Sequence, residues 1–245
     1  GIDEVIDPLL TASATFLDLL EQLDDKTFGP EGMPMPRWVY LDGTELTGGI
    51  VGLGVAAEHA STELRQLLSV PDDYDGLVPC SVYMAIPTHE SGEWFGHNLA
   101  SLSSLLPDEN LGGLGSLTKA LALRTFRCRG QVGATQWSSR ALFVHTRLGP
   151  LELSTAWTPA HGGADTLTYR ATVTSETLQH LARHQGASLE YPPPVEWLDS
   201  CDIEAMKVLQ QRIESGERLV ISGRPEVTDT GLRVPLARSE DVEGE

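Results

Sequence analysis

Between Leu77 and Val173 apolar runs of strand length alternate with stretches of helical spacing, and this alternation confines the chain to a mixed helix-and-strand architecture. Leu77 to Ile86, Leu99 to Leu106, Gln131 to Trp137, Leu151 to Trp157 and Thr166 to Val173 read as strands, the last two paired around the loop Thr158 to Asp165. Ser116 to Phe126 has helical spacing, and a short helix follows Trp137. Upstream, Asp7-Pro8 reads as an N-cap and first helical position, after which Leu9, Ala12, Phe16, Leu20 and Leu23 recur at three- and four-residue intervals. Arg37 to Leu41 and Leu46 to Val55 read as strands joined around Asp42-Gly43. Ser61 caps a helix through Leu68 that Pro71 stops, and Pro87 to His97 reads as polar and irregular. Helices are expected from Ser175 to His184 and from Asp202 to Glu214, around the stiff Tyr191 to Pro194 segment, before a hairpin of Leu219 to Ser222 with Leu232 to Leu236.

At 245 residues the chain can bury a core without staples. Cys80, Cys128 and Cys201 lie far apart, without C-x-x-C spacing, so neither a disulfide framework nor a zinc knuckle is written here. No run reaches the roughly eighteen apolar residues that span a bilayer, and the first residues carry Asp3, Glu4 and Asp7 in place of a basic start. The expectation is a cytoplasmic protein without a membrane anchor, although the Gly1 start leaves room for a removed segment. A net charge of -18 repels nucleic acid and anionic lipid and welcomes a cationic partner.

Asn110-Leu111-Gly112-Gly113-Leu114-Gly115-Ser116 stands between an expected strand and an expected helix. Glycines there let consecutive amides point outward, and the helix adds the positive end of its dipole, which together make an anion cradle. From residue 107 to 150 the acids are only Asp108 and Glu109, against Lys119, Arg124, Arg127, Arg129, Arg140 and Arg147. This segment is basic inside an acidic chain. Downstream lies Ser138-x-x-Ala141-x-x-x-His145-x-x-x-Gly149-Pro150.

These residues resemble the GCN5-related N-acetyltransferase superfamily. In that family a turn of the form Gln/Arg-x-x-Gly-x-Gly/Ala joins a strand to a helix, and a later helix often reads Asn-x-x-Ala-x-x-x-Tyr-x-x-x-Gly-Phe. Asn110-x-x-Gly113-x-Gly115 looks like the first motif, and Ser138, Ala141, His145 and Gly149 match the second in spacing. Asn110, Ser138, His145 and Pro150 depart from the usual residue types. The resemblance implies an α/β (α+β) fold with a mixed, mostly antiparallel central sheet flanked by helices. It covers roughly residues 99 to 160, with 37 to 106 as a plausible set of preceding strands, and implies a domain of residues 1 to 174 with 175 to 245 as a C-terminal extension packed on the same domain or forming a small subdomain.

It further implies transfer of an acyl group from acetyl-coenzyme A, or another acyl-coenzyme A, to a small-molecule or peptide amine. Asn110 and the amides of Leu111, Gly112, Gly113, Leu114, Gly115 and Ser116, with Ser138, would hold the coenzyme, and Lys119 or Arg124 would meet its charges. Backbone groups near Leu105 would hold the thioester carbonyl. His145 stands where the family often has an acid, and Glu93, near Glu90 and His97, is the candidate base. No resident metal is implied, and a homodimer is one allowed assembly.

Competing readings are a non-catalytic binding protein on the same kind of fold and a nucleotide-dependent oxidoreductase. The second rests on Gly52-x-Gly54-x-x-Ala57, although no acid-ended strand follows at the required distance. His89, Glu90, Glu93 and His97 are interrupted by Gly92 and Gly96, and His180 and His184 read as a solvated helix face. Trp94, Trp137 and Trp157 read as core or as an apolar acceptor pocket.

Overall fold

The computed structural model describes residues 13–45, 48–107, 111–158, 165–182 and 189–239, apart from the side chains of residues 31, 41 and 43–45. Two compact units emerge, one of residues 1–87 and 96–126, the other of 88–95 and 127–245.

The first unit opens with α1 (Ala14–Phe28), whose N-cap is Ser13, its hydroxyl accepting from the Phe16 amide. The Asp7-Pro8 start expected for this helix lies outside the described residues. Helix α2 (Arg37–Glu45) occupies the stretch read as a strand and hairpin turn, so that expectation is corrected. The Asp42-Gly43 dipeptide suggested a hairpin turn. Instead Pro36 opens a helical turn, its carbonyl accepting from Val39 N–H at 2.9 Å, and Tyr40 is buried with Met35 and Met84.

Strand β1 (Gly49–Ala56) pairs antiparallel with β2 (Leu77–Pro87), from Gly49 opposite Ala85 to Ala56 opposite Leu77. Helix α3 (Thr62–Leu67) lies between them, capped by Ser61 as its sequence predicts. Strand β3 (Glu93–Ser101) begins within the stretch read as irregular and ends before Leu106. Its polar residues disguised it. It stops because the Ser101 hydroxyl accepts from the Ser103 amide and opens a 3-10 turn over Leu102–Ser104. Leu19 and Leu23 of α1 pack with Leu68, Val78, Val82 and Leu102, and Leu111 and Leu114 lean on this core. Helix α4 (Leu114–Thr125) completes the unit.

The second unit takes the first residues of β3, then β4 (Gly130–Gln136), the short α5 (Leu142–His145), β5 (Leu151–Thr158) and β6 (Thr166–Thr172). Antiparallel pairing joins β4 to β6 and β6 to β5. Next come α6 (Ser175–Ala182), β7 (Glu196–Asp199), α7 (Ile203–Glu214), β8 (Leu219–Ile221), β9 (Glu226–Val227) and β10 (Leu232–Arg238). The expected terminal hairpin is present as β8 with β10, and β5 pairs with β8. Strands β7 and β9, unread in the sequence, pair with β10. Each of these pairings is antiparallel, so the chain is a mixed α/β protein with mostly antiparallel sheet and flanking helices. Trp137, Leu142, Tyr169, Met206 and Val234 are among its fully buried side chains. Among the described residues no helix is long and apolar enough to cross a membrane.

Candidate functional site

The glycine run lies at the start of α4, as the strand–turn–helix reading requires, though a 3-10 turn intervenes after β3. Gly113 is the N-cap, with φ of 82°, a left-handed conformation that a Cβ would strain. The amide of Leu114 closes the turn on the Leu111 carbonyl at 3.1 Å, and the first bond of the helix runs from Leu117 N–H to the Gly113 carbonyl at 2.9 Å. That bond sets the start of the helical ladder, and the Leu114 amide is already spent on Leu111. Gly112 is exposed and Gly113 half-buried, whereas Gly115 and Ser116 are buried. A Cβ at Gly115 would stand 3.2 Å from that of Ser101, so a small residue lets α4 approach β3 closely here. The bend is anchored by Leu111 and Leu114 without being consumed by a sheet ladder. Asn110 lies outside the described residues.

The charged residues disperse. Lys119 is 0% exposed, so its ammonium is not displayed on the helix surface, whereas Arg124 is exposed near the end of α4. In the second unit Arg129 donates to the Ser91 carbonyl at 2.9 Å. Half-buried Arg147 has its guanidinium pushed below the usual range by burial and by neighbouring Arg224.

Leu105 follows the 3-10 turn instead of ending a strand, and its amide donates to the Leu102 carbonyl at 2.9 Å. A splayed-strand carbonyl site at Leu105 loses its strand.

His145, Glu93 and Ser138 belong to the second unit. His145 closes α5, is 8% exposed and tilts against the Tyr169 ring, 5.2 Å between centroids. Glu93 accepts from the Thr88 hydroxyl at 2.8 Å and pairs with Arg170 at 3.4 Å, its side chain 13% exposed. Ser138 is exposed and donates to Asp165 at 2.7 Å.

The competing motifs resolve differently. Gly52 and Gly54 sit inside β1, where a Cβ at Gly54 would strike the Val78 carbonyl at 2.4 Å, so G-x-G-x-x-A here is strand pairing and not a phosphate-binding turn. His89 and Glu90 form an exposed pair at 3.4 Å. His180 bonds the Arg147 carbonyl at 2.8 Å through Nδ1, and His184 lies outside the described residues. Trp137 is core, its indole donating to the Ala156 carbonyl at 2.7 Å.

A polar cluster that sequence reading missed lies in the first unit. Asp24 of α1 is 1% exposed and accepts from the Met35 amide and, at 3.0 Å, from Asn98 Nδ2. Burial pushes the Asp24 carboxyl above its ordinary range, and donors from Met35, Asn98 and Tyr40 pull it part of the way back. Burial and the adjoining Asp24 charge raise the Tyr40 phenol in turn. The only signal in sequence was an acid at a position of α1 that its helical spacing turns inward.

No protein-family model matches the chain, and no curated protein matches it. Solved structures do. The ribosomal-protein-S18-alanine N-acetyltransferase from Escherichia coli is similar over 67% of this chain and 92% of its own, at 12% identity and a TM-score of 0.42. The NatC complex bound to Gag peptide and CoA is similar over 70% and 97%, at 12% identity and a TM-score of 0.47. An aminoglycoside 6'-acetyltransferase type Ii is similar over 70% and 96%, at 16% identity and a TM-score of 0.43. All three are distant from this chain in sequence.

Proposed function

We propose that the chain is an acyl-coenzyme A-dependent N-acyltransferase of the GCN5-related kind, acting on a primary amine by direct transfer. The observation that carries this reading is the left-handed glycine turn at Gly113, which opens α4 at the positive end of its dipole. Such a turn suits a diphosphate, because several amide dipoles converge where the helix end is positive. The order of parts around it supports the same reading: β3, turn, α4, β4, then α5 carrying His145 at motif spacing.

In the reaction the amine nitrogen attacks the thioester carbonyl, a C–N bond forms and the C–S bond breaks. The nitrogen loses a proton and the departing thiolate gains one. His145, whose imidazole can carry and release a proton, is the candidate donor of that second proton. Glu93 is the weaker candidate as base, since Thr88 and Arg170 already occupy its carboxylate. That occupation favours the runner-up, a protein that binds acyl-coenzyme A without turning it over.

Calorimetry with acetyl-coenzyme A tests the main claim: saturable binding is expected, and no heat from folded protein at millimolar ligand overturns it. Release of free thiol on mixing acetyl-coenzyme A with primary amines separates enzyme from binder. If turnover is seen, His145→Phe should lower kcat by about a hundredfold, the lower end of general acid catalysis. Unchanged kcat removes His145 from the chemistry.

A further inference from the structure

Arg147 is the last base of the basic stretch 107 to 150 and lies in the second unit, on the 3-10 turn Thr146–Leu148 that continues α5. It stands four residues after Phe143, so the two side chains share one face of that helical segment. Three residues of the C-terminal extension gather on the same segment. Tyr191 donates its hydroxyl to the Thr146 carbonyl, and His180 of α6 donates from Nδ1 to the Arg147 carbonyl at 2.8 Å. Arg224, in the link between β8 and β9, sets its guanidinium carbon 5.2 Å from the centre of the Phe143 ring.

Two guanidinium groups thus meet on one face. The Arg224 charge is felt at Arg147, whose guanidinium burial and that charge together hold below the usual range. Like charges brought together cost free energy, and an anion seated between them turns the repulsion into attraction. The chain does not supply that anion to Arg224, which among the described residues has no carboxylate partner although acids outnumber bases 35 to 17. Tyr191 is no substitute, since burial pushes its phenol up to about 12 and keeps it neutral beside Arg147. Arg224 is exposed and Arg147 half-buried, so a ligand reaches the pair from the Arg224 side.

The paired donors narrow the chemistry of that ligand. Each guanidinium presents N–H groups in a fork that fits two oxygens on one centre. A carboxylate fills one such fork and offsets one charge. A phosphate has oxygens for both forks and, as a dianion, charge for both.

We propose that Arg147 and Arg224 form a binding site for a phosphate dianion, either free or carried as a phosphomonoester. The site lies outside the acyltransferase reading and does not rest on it.

The test uses the full chain labelled with 15N, the two guanidinium Nε–Hε signals being those lost in Arg147→Gln and in Arg224→Gln. Sodium phosphate at slightly alkaline pH should shift both signals saturably, in the millimolar range and with one dissociation constant. Sodium acetate at the same ionic strength should act at least about tenfold more weakly, because it fills one fork only. Arg224 is exposed, so its replacement leaves the fold intact. Arg224→Gln should weaken phosphate binding, read at Arg147, by about tenfold, and Arg224→Lys should recover part of the loss by restoring charge without the fork. Phenyl phosphate binding more tightly than inorganic phosphate assigns the site to a phosphomonoester, and the reverse order assigns it to the free ion. Shifts by phosphate no larger than those by acetate overturn the proposal without needing any variant, as does phosphate affinity unchanged in Arg224→Gln.

Discussion

Gly113 is the residue on which the turn proposed for the coenzyme depends, because its φ of 82° lies where an L side chain is strained. Gly113→Ala is expected to cost about 1 kcal/mol in urea denaturation and to weaken acetyl-coenzyme A binding. Gly113→Asn should recover part of both losses, since asparagine tolerates the left-handed region better than alanine. Equal damage from both substitutions would mean that space, and not backbone conformation, governs the position. This residue was legible in the sequence because a glycine run ahead of a helix has one obvious use. Asp24 and Asn98 were not, because 74 residues separate them and only the packing of α1 beside β3 makes them partners. Lys119 misled for a related reason: helical spacing marks it as basic but does not say that its face of α4 is buried.

At the scale of elements, the C-terminal helix α7 performs a task that no local pattern announces. Gln210 Oε1 accepts from the amides of Ala156 at 2.8 Å and Trp157 at 3.3 Å, so a side chain replaces the neighbouring strand that β5 lacks beyond its short pairing with β8. Gln210→Ala should cost about 2 kcal/mol, the penalty for stranding half-buried donors, with Gln210→Glu milder because it keeps an acceptor. Thermal unfolding followed by circular dichroism reads both. At the end of the same helix Arg212 binds Glu217 and Glu196, and Arg238 of β10 also reaches Glu217. These guanidinium groups, Arg212 first, pull the Glu217 carboxyl down to about 2. Its folded value is below its unfolded one, so the stabilisation is present above the ordinary carboxylate range and drains away as pH falls toward 2. Glu217→Gln should flatten that part of the stability curve, by of order 1 kcal/mol for partly exposed pairs. Helices with strong caps, α3 and α7, could be read because Ser61 and Asp202 satisfy backbone donors locally. The helix α2 and strand β3 could not, since what decides each lies elsewhere: Tyr40 against Met84 and Asp24, and Asn98 against α1.

Across the whole molecule the dominant quantity is charge, with 35 acids against 17 bases and a net of -18. Two effects of salt then oppose one another. Screening weakens the described ion pairs, such as Arg37 with Asp18 and Glu21 or Arg218 with Glu152, which are partly exposed and individually worth less than about 1 kcal/mol. Screening also relieves repulsion among the surplus acids, which the compact state concentrates and the unfolded chain spreads out. With twice as many acids as bases, net repulsion is the larger of the two terms that salt screens, so relief should win. The unfolding midpoint should therefore climb as sodium chloride shortens the Debye length from about 30 Å at 0.01 M to about 10 Å at 0.1 M, and flatten beyond that. A midpoint that falls over this range would show the ion pairs outweighing the surplus.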